Sequence, residues 1–462
     1  MPPDPSQAAG QNATLSIGID FGTSNTVVAF AHPHGRTEAL TFDHDGQTLN
    51  GFVTALCFWD ERQRGVATTR VEGGPWAIDQ FLDGSAALRF IQSFKTFAAN
   101  ATFQETRILR ERYRFEDLLA AFLRTLVKHA DARLDLSSSN IVIGRPVTFA
   151  GRQPNDTLAM QRYRTAFERL GVNDPAYVYE PVGAAFFYAR ELKRDATVLV
   201  ADFGGGTSDF SVMRFERIAG QFGAKPLGHA GIGIAGDAFD YSIVDRIVSP
   251  RLGKGSRFRS FDKQLAIPNH YYANLARWHQ LAMMKSNGDL KGLQDLARVA
   301  VEPEKLEKFI ELIEFDMGFS LYSAVSKAKI ALSSQEETAF RFTGGVDIGA
   351  TIKRRDFETW IAPDVAKIAA TLDEGLARAN THAREIDRVF LTGGTSFVPA
   401  IRKLFGERFG EERMVSTDQF ESIAYGLALI GQDAQKDRWA VESGAGSSDP
   451  PAQSSVRGNS RV

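Results

Sequence analysis

The sequence predicts an α/β protein built from two similar lobes facing one cleft, with a helical subdomain inserted into the second lobe. Three observations predict it. Strand-like apolar runs alternate with helical ones along most of the chain, as layered α/β architecture requires. The triplet Asp-Phe-Gly occurs twice, at Asp20 and Asp202, each time closing an apolar run and opening a turn of glycine and hydroxyl residues. An internal echo at this separation points to duplicated halves. From about residue 241 to 334 the pattern becomes mostly helical, rich in Leu, Ala, Lys and Glu.

Taken in order, residues 1–13 read as a loose tail: Pro, Gln, Asn and Ala dominate, with neither a basic nor an apolar region of a secretion signal. The first lobe is expected over 14–195. Ser16 to Asp20, a turn at Gly22 to Asn25 and Thr26 to Phe30 form strand, tight turn and strand. Asp117 to Leu134 places Leu118, Leu119, Phe122, Leu123, Leu126 and Val127 on one helical face, and the strand Asn140 to Gly144 follows. Tyr163 to Leu170 reads as helix and Tyr177 to Tyr179 as strand. Glu180-Pro181 then opens a helix with proline in its first turn.

The second lobe is expected over 196–431. Ala196 to Met213 repeats the opening hairpin, and the insertion at 241–334 is clearest in Ile310 to Leu321 and Ser323 to Leu332. A strand at Arg388 to Thr392, a Gly393-Gly394 turn and the apolar helix Ser422 to Ile430 close this lobe. From Gln432 to 462 the composition of Gly, Ser, Pro, Gln and Asp predicts a disordered tail, with Trp439 as its one large apolar anchor.

With 462 residues, more than one domain is expected. The balance of 54 basic against 56 acidic residues supplies no broad positive field, so nucleic acid and anionic membranes are not expected partners. A single cysteine, Cys57, excludes an intramolecular disulfide framework and a thiolate-rich zinc site, and it fits a small core position in a cytoplasmic protein. No apolar run is long enough to span a bilayer. His32 and His34 flank Pro33 in a turn without a third metal ligand, and Arg107, Arg110, Arg112 and Arg114 read as a solvated face.

The chemistry concentrates in the two turns. Asp20-Phe21-Gly22-Thr23-Ser24-Asn25 offers consecutive backbone N–H groups and two hydroxyls, a cradle for phosphate oxygens. An aspartate at the end of the strand suits a hydrated Mg²⁺. An ordinary hairpin turn is the plainer account of one such loop. The second copy, Asp202-Phe203-Gly204-Gly205-Gly206-Thr207-Ser208-Asp209, argues for function, because three consecutive glycines weaken a fold unless something must approach the backbone. Other phosphate motifs fail: Gly204 to Asp209 is not a dinucleotide fingerprint, and Gly253-Lys254 lacks the rest of a P-loop.

Over about Leu15 to Gly431 the chain resembles the actin-like ATPases, two ribonuclease H-like lobes around a nucleotide cleft. It resembles in particular the nucleotide-binding domain of the 70-kDa heat-shock (DnaK-type) chaperones and their short YegD-like branch. The segments that carry the resemblance are Gly18 to Thr26, Gly144 to Val147, Tyr179 to Ala185, Ala201 to Val212, Ala235 to Asp240, Ser326 to Ser334 and Leu391 to Pro399. The resemblance implies ATP or ADP with Mg²⁺ as cofactors. It places Asp20, Asp202 and Asp209 around the metal and the attacking water, and Glu180 as the group that positions that water. Thr207 would meet the γ-phosphate. Gly22, Thr23, Ser24 and Asn25, with Gly204, Gly205, Gly206 and Gly236, would line the phosphates, and Lys329, Ser333, Gly393 and Gly394 the adenosine. Nucleotide-driven lobe movement, a monomer, and a co-chaperone or nucleotide-exchange partner are further implications.

Three departures modify that expectation. Gly74-Pro75-Trp76-Ala77-Ile78 stands where the family has its catalytic lysine, which predicts slow hydrolysis, since one lost transition-state donor costs about 10²-fold. Lys95, in Ser93-Phe94-Lys95-Thr96-Phe97, is the alternative candidate for that lysine, although its segment reads first as a following structural one. Ser326 and Ile330 replace the family's adenosine-site glutamate and arginine, and Phe397 another arginine. Only 31 residues follow Gly431, without an apolar linker or alternating strands, so no peptide-binding part is expected. A small-molecule kinase of the same superfamily and an actin-like scaffold are the competing classes.

Overall fold

The two hairpins that carry Asp20 and Asp202 each become the centre of a five-strand run with the same connectivity. The structure is a computed structural model. It describes residues 15–441 apart from 34–35, 64–65, 84–87, 137–139, 152, 191, 219–220, 282, 286, 417–420 and 434–435, so His34 and most of both tails lie outside the described residues.

In the first lobe Ser16–Phe21 pairs antiparallel with Asn25–Ala31, with Phe21 opposite Thr26. It pairs parallel with Asn140–Arg145 on its other side, and Ala176–Tyr179 extends the sheet. In the second lobe Ala196–Phe203 pairs antiparallel with Ser208–Ile218 and parallel with Arg388–Thr392. Outer strands Thr37–Ala39 and Gln221–Ile232 complete the hairpin sides, and Met414–Ser416 the parallel side of the second sheet. Read from either end, the strand orders match, which is the duplication expected of the actin-like ATPase fold.

Alternation along the strands decides what covers each face. Ile17, Ile19 and Phe21 point into a core with Phe122, Leu126, Tyr163 and Phe167, supplied by the helices Phe115–His129 and Asp156–Glu168. Both faces of the second sheet are buried: Leu199, Ala201 and Phe203 join the core of the helical subdomain, while Val198 and Val200 join Val182 and Tyr188 of helix Glu180–Ala189. Double burial explains why Ala196 to Phe203 is a nearly unbroken apolar run.

The connecting helices exchange lobes. Helix Glu180–Ala189 leaves the first sheet and packs on the second, whereas Ser422–Gly431, expected to close the second lobe, packs against Val27 and Ala29 of the first. They cross where two glycines meet. A Cβ on Gly426 would lie 1.6 Å from the Gly183 carbonyl oxygen, so no larger residue fits this contact.

Three differences from the sequence reading have physical causes. The insertion after residue 241 is not purely helical, because Arg257–Ser260 and Lys263–Ala266 form an exposed hairpin whose charged residues hide its periodicity. Ala55–Gln63, Val66–Gly73 and Leu88–Gln92 form a further three-stranded sheet backed by helix Gly74–Leu82. This sheet meets the helical subdomain across the cleft mouth through an aromatic clasp: Phe90 lies 5.6 Å from Phe319 and 6.4 Å from Trp278, and Phe81 6.1 Å from Phe319, ring centre to ring centre.

The third difference concerns the expected tail from Gln432. Its beginning is docked: Trp439 is 5% exposed and stacks edge-on against Phe186 at 4.9 Å, Lys436 donates to Asn140 Oδ1, and the Val441 amide donates to the Tyr177 carbonyl. One indole buried among Val142, Val178 and Phe215 outweighs the ordering cost of a short polar turn. W439A is therefore expected to destabilise the protein by about 3 kcal/mol. A chain ending at Asp433 should show a comparable drop in denaturation midpoint relative to one ending at Ser443, read by circular dichroism in urea.

Candidate functional site

The two hairpin ends converge at the cleft floor. Asp202 and Asp209 are directly opposed across the second hairpin, so their side chains share one face. The amides of Val147 and Thr148 donate to Asp209 Oδ1 at 2.8 and 3.2 Å, and Asp209 Oδ2 is buried without a hydrogen-bond partner. Asp20 occupies the matching strand end in the first lobe. Glu180, 4% exposed, enters from the first turn of its helix.

Lys95 completes the cluster. Its ammonium lies 2.7 Å from Glu180 Oε1 and 5.8 Å from the centre of the Phe21 ring, and both partners of the ion pair are buried. Of the two readings of Lys95, substitute for the family's lysine or member of a structural segment, the ion pair with Glu180 agrees with the first. Ile78 sits instead on the helix behind the three-stranded sheet, packed with Cys57 and Ala77. The lysine that faces Glu180 comes later in the chain than Gly74 to Ile78, because helix Gly74–Leu82 and strand Leu88–Gln92 intervene.

Electrostatics follow from four carboxylates sharing one buried ammonium. Burial, then the charge of Glu180, pushes Asp20 up to about 7, with Lys95 opposing. Burial and Glu180 push Asp209 up to about 7 against its hydrogen bonds from Thr207 and Thr148. Asp202 is raised well above the ordinary carboxylate range by burial, Glu180 and Asp20. Burial works against the Lys95 charge, yet Glu180, Tyr163 and Asp20 outweigh it and raise its pKa. An orphaned carboxylate oxygen among acids that repel one another fits a divalent cation with hard-ligand preference.

The phosphate-type loops face each other across the cleft. A Cβ on Gly205 would lie 3.0 Å from Ser24 Oγ and 3.1 Å from Asp237 Oδ1, tighter than ordinary van der Waals contact, so the second loop closely approaches the first at this glycine. The first loop is pinned by Thr54, whose amide donates to the Ser24 carbonyl and whose hydroxyl donates to that of Gly22. The second is closed by the Gly204 amide donating to the Thr207 carbonyl.

Beyond the second loop, helix Gly236–Ile243, helix Gly318–Ser334 and the turn Gly394–Phe397 converge. The Thr395 hydroxyl donates to the Gly204 carbonyl, and the Lys329 ammonium lies 2.8 Å from Asp240 and donates to the Gly236 carbonyl at 3.4 Å. Ser333 is one helical turn further on, its hydroxyl directed at the Lys329 carbonyl, and the turn Gly393-Gly394 directly precedes Thr395. Ile330 and Phe397 are 65% and 39% exposed beside this junction. Among residues given no role in the sequence reading, Thr54, Val147, Thr148, Asp237, Asp240 and Thr395 now line or brace the site. Val147, Asp237, Asp240 and Thr395 lay in segments that carry the resemblance, whereas Thr54 and Thr148 had no such local sign.

Several other residues occupy positions without site chemistry. Cys57 is buried in the core and its thiol is pushed up to about 12 by burial, as suits a non-reactive position. Arg110 and Arg112 are exposed and pair with Asp60 and Glu105, a solvated face. His32 bonds Glu38 at 2.7 Å. Among the described residues no helix is long and apolar enough to cross a membrane.

Duplicated sheets, exchanged helices and a carboxylate-rich floor between glycine loops define a domain of the actin-like ATPase fold. The Hsp70 protein family profile matches residues 89–257 and 308–437, and the chain belongs to the Hsp70 family. It is similar to the chaperone protein DnaK of Deinococcus deserti (26% identity, 91% of this chain, 60% of DnaK). It is also similar to DnaK of Thermus thermophilus (24%, 90% of this chain, 60% of DnaK) and to the HscA homolog of Actinobacillus pleuropneumoniae serotype 5b (24%, 91% of this chain, 58% of that protein). The chain spans about 60% of the length of the curated relatives it matches.

Two residues behind Asp209, Ser211 shares a hydrogen bond with Nδ1 of His229, whose ring packs at 5.1 Å from Tyr179. Burial, reinforced by Arg378, lowers the His229 pKa from 6.5 to about 4. A histidine kept neutral in the fold leaves stability intact above pH 6.5 and removes it as pH falls toward 4, because only the unfolded chain then gains the proton. The loss should reach about 3 kcal/mol by the bottom of that window. H229Q is expected to shrink it, as read from urea midpoints at pH 7.5 and 4.5.

Proposed function

We propose that the chain binds ATP with Mg²⁺ in the interlobe cleft and hydrolyses it to ADP and phosphate as a cytoplasmic, monomeric member of its family. The observation that carries the proposal is the buried Lys95–Glu180 pair beside Asp20, Asp202 and Asp209, flanked by glycine loops from both lobes. Phosphoryl transfer needs mainly positioning and charge neutralisation. This site is rich in both.

Each residue has a task in that reading. Asp20, Asp202 and Asp209 would hold the hydrated Mg²⁺, which when bound draws charge from the phosphate oxygens. Glu180 orients the attacking water, and Lys95 holds Glu180 in place while bringing a permanent positive charge to the phosphate end. Thr207 meets the terminal phosphate, and the turns Gly22 to Asn25 and Gly204 to Gly206 cradle the chain of phosphates with Gly236. Lys329, Ser333, Gly393 and Gly394 receive the adenosine, whose ring meets Ile330 and Phe397 as an apolar slot. With Lys95 in the cluster no ammonium is missing, and slow hydrolysis is no longer expected on that ground. The exchanged helices couple nucleotide state to lobe angle, and a chaperone system with an exchange partner is the setting in which such motion is used.

Two substitutions separate binding from chemistry. In calorimetric titration D202A should lose MgATP affinity by at least about tenfold, since one of three carboxylates around the cation is gone. K95M should keep ATP affinity within a few-fold while single-turnover hydrolysis falls about 10²-fold. Undiminished hydrolysis in K95M would remove Lys95 from the reaction, and undiminished MgATP affinity in D202A would overturn the site itself.

A further inference from the structure

The Hsp70 profile stops at residue 257 and resumes at 308, leaving a segment of the helical subdomain outside the family pattern. The exposed hairpin lies there. Arg257–Ser260 is flanked on one side by Val299 to Val301, through bonds from the Arg259 amide to Val299 and the Val301 amide to Arg257. On its other side Lys263–Ala266 pairs with it, and every residue of that strand is exposed. Among the described residues no further strand covers Lys263–Ala266 in its sheet.

Pairing geometry fixes which groups are open. The Arg257 and Arg259 backbones bond toward Val299 to Val301, so Phe258 and Ser260 bond toward Leu265 and Lys263. Gln264 and Ala266 therefore direct their amides and carbonyls to the open edge. On the outer face Arg257 and Arg259 stand beside Val299, Val301, Gln264 and Ala266, and on the inner face Leu265, 46% exposed, stands beside Phe258.

Charge and turn chemistry add to this. Residues 251–266 contain Arg251, Lys254, Arg257, Arg259 and Lys263 against Asp262 alone, in a protein of net charge −2. Among the described residues, Arg257, Arg259 and Lys263 have no ion-pair partner, whereas Lys254 pairs with Asp245. The two-residue turn holds Phe261 at φ 52° and fully exposed, where Asn, Asp or Gly is the favoured choice. A bulky apolar residue in such a turn works against folding and points to a use outside the fold.

We propose that this edge receives an extended acidic segment of a partner protein, which adds as a further strand. Its apolar side chains cover Leu265 and reach Phe261, and its alternate carboxylates meet Arg257 and Arg259. Main-chain bonds to Gln264 and Ala266 supply affinity, and the alternation of apolar and acidic residues supplies selectivity. The segment docks independently of nucleotide chemistry in the cleft.

The test uses the full chain and a fluorescein-labelled peptide alternating glutamate and valine, titrated by anisotropy. Saturable binding is expected at or below about 1 mM, lost on replacing glutamate by lysine in the peptide. Q264P removes an outward amide that the hairpin itself does not use, so it should abolish binding while leaving the circular dichroism spectrum and melting temperature unchanged. R257E/R259E should weaken binding about tenfold or more. No saturation at about 1 mM, or equal binding by Q264P and the parent, overturns strand addition. Tighter capture of anionic phospholipid vesicles or of single-stranded RNA than of the peptide, through the same arginines, overturns the protein partner.

Discussion

One buried ammonium stands among four carboxylates, and most of the cleft is arranged around that imbalance. Lys95 neutralises Glu180 directly, but Asp20, Asp202 and Asp209 remain in a site from which water is largely withdrawn. A fold does not tolerate such a cluster for its own stability, because each uncompensated buried charge costs several kcal/mol. The Val147 and Thr148 amides offset part of this cost at Asp209. Protonation of some of these acids offsets more, and a bound cation would offset the rest. The floor is thus built so that a cation from outside would complete it.

The crossing of Gly183 and Gly426 carries this local chemistry outward. Each helix packs on the sheet of the lobe it did not come from, and their backbones touch where no side chain intervenes. Elsewhere the lobes meet through Phe81 and Phe90 against Trp278 and Phe319, with Arg89 and Asp316 interacting in the same contact. Membership of the Hsp70 family, shown by the sequence profile, agrees with two duplicated lobes of this connectivity.

What was legible in the sequence was local. Asp20 and Asp202 sit inside continuous motifs in which strand, turn and next strand are neighbours, and Glu180 opens a helix marked by Pro181. Lys95 was legible only as an alternative, because its partner lies 85 residues away and nothing adjacent to it is charged. The available sign was physical: a lysine between Phe94 and Phe97, both buried, has nowhere to put its charge unless a carboxylate meets it. Trp439 is a similar case: the sequence shows it as the tail's one large apolar anchor, but not the cluster with Val142, Val178 and Phe215 that it joins. The segment Ser422–Gly431 reads as a helix but not as a cover for the first lobe, since periodicity says which face is apolar and not what it meets.

That last helix sets a timetable for making the protein. Its apolar face covers Val27 and Ala29 near the start of the chain, and 242 positions separate its first residue, Ser422, from Glu180, where the first lobe's own strands are already complete. At roughly 5–20 residues per second, translation leaves that sheet uncovered for roughly 10–50 s. During this interval the nascent first lobe presents an apolar surface with its permanent cover still unwritten. A protein of a chaperone family is thereby itself a candidate for protection on the ribosome.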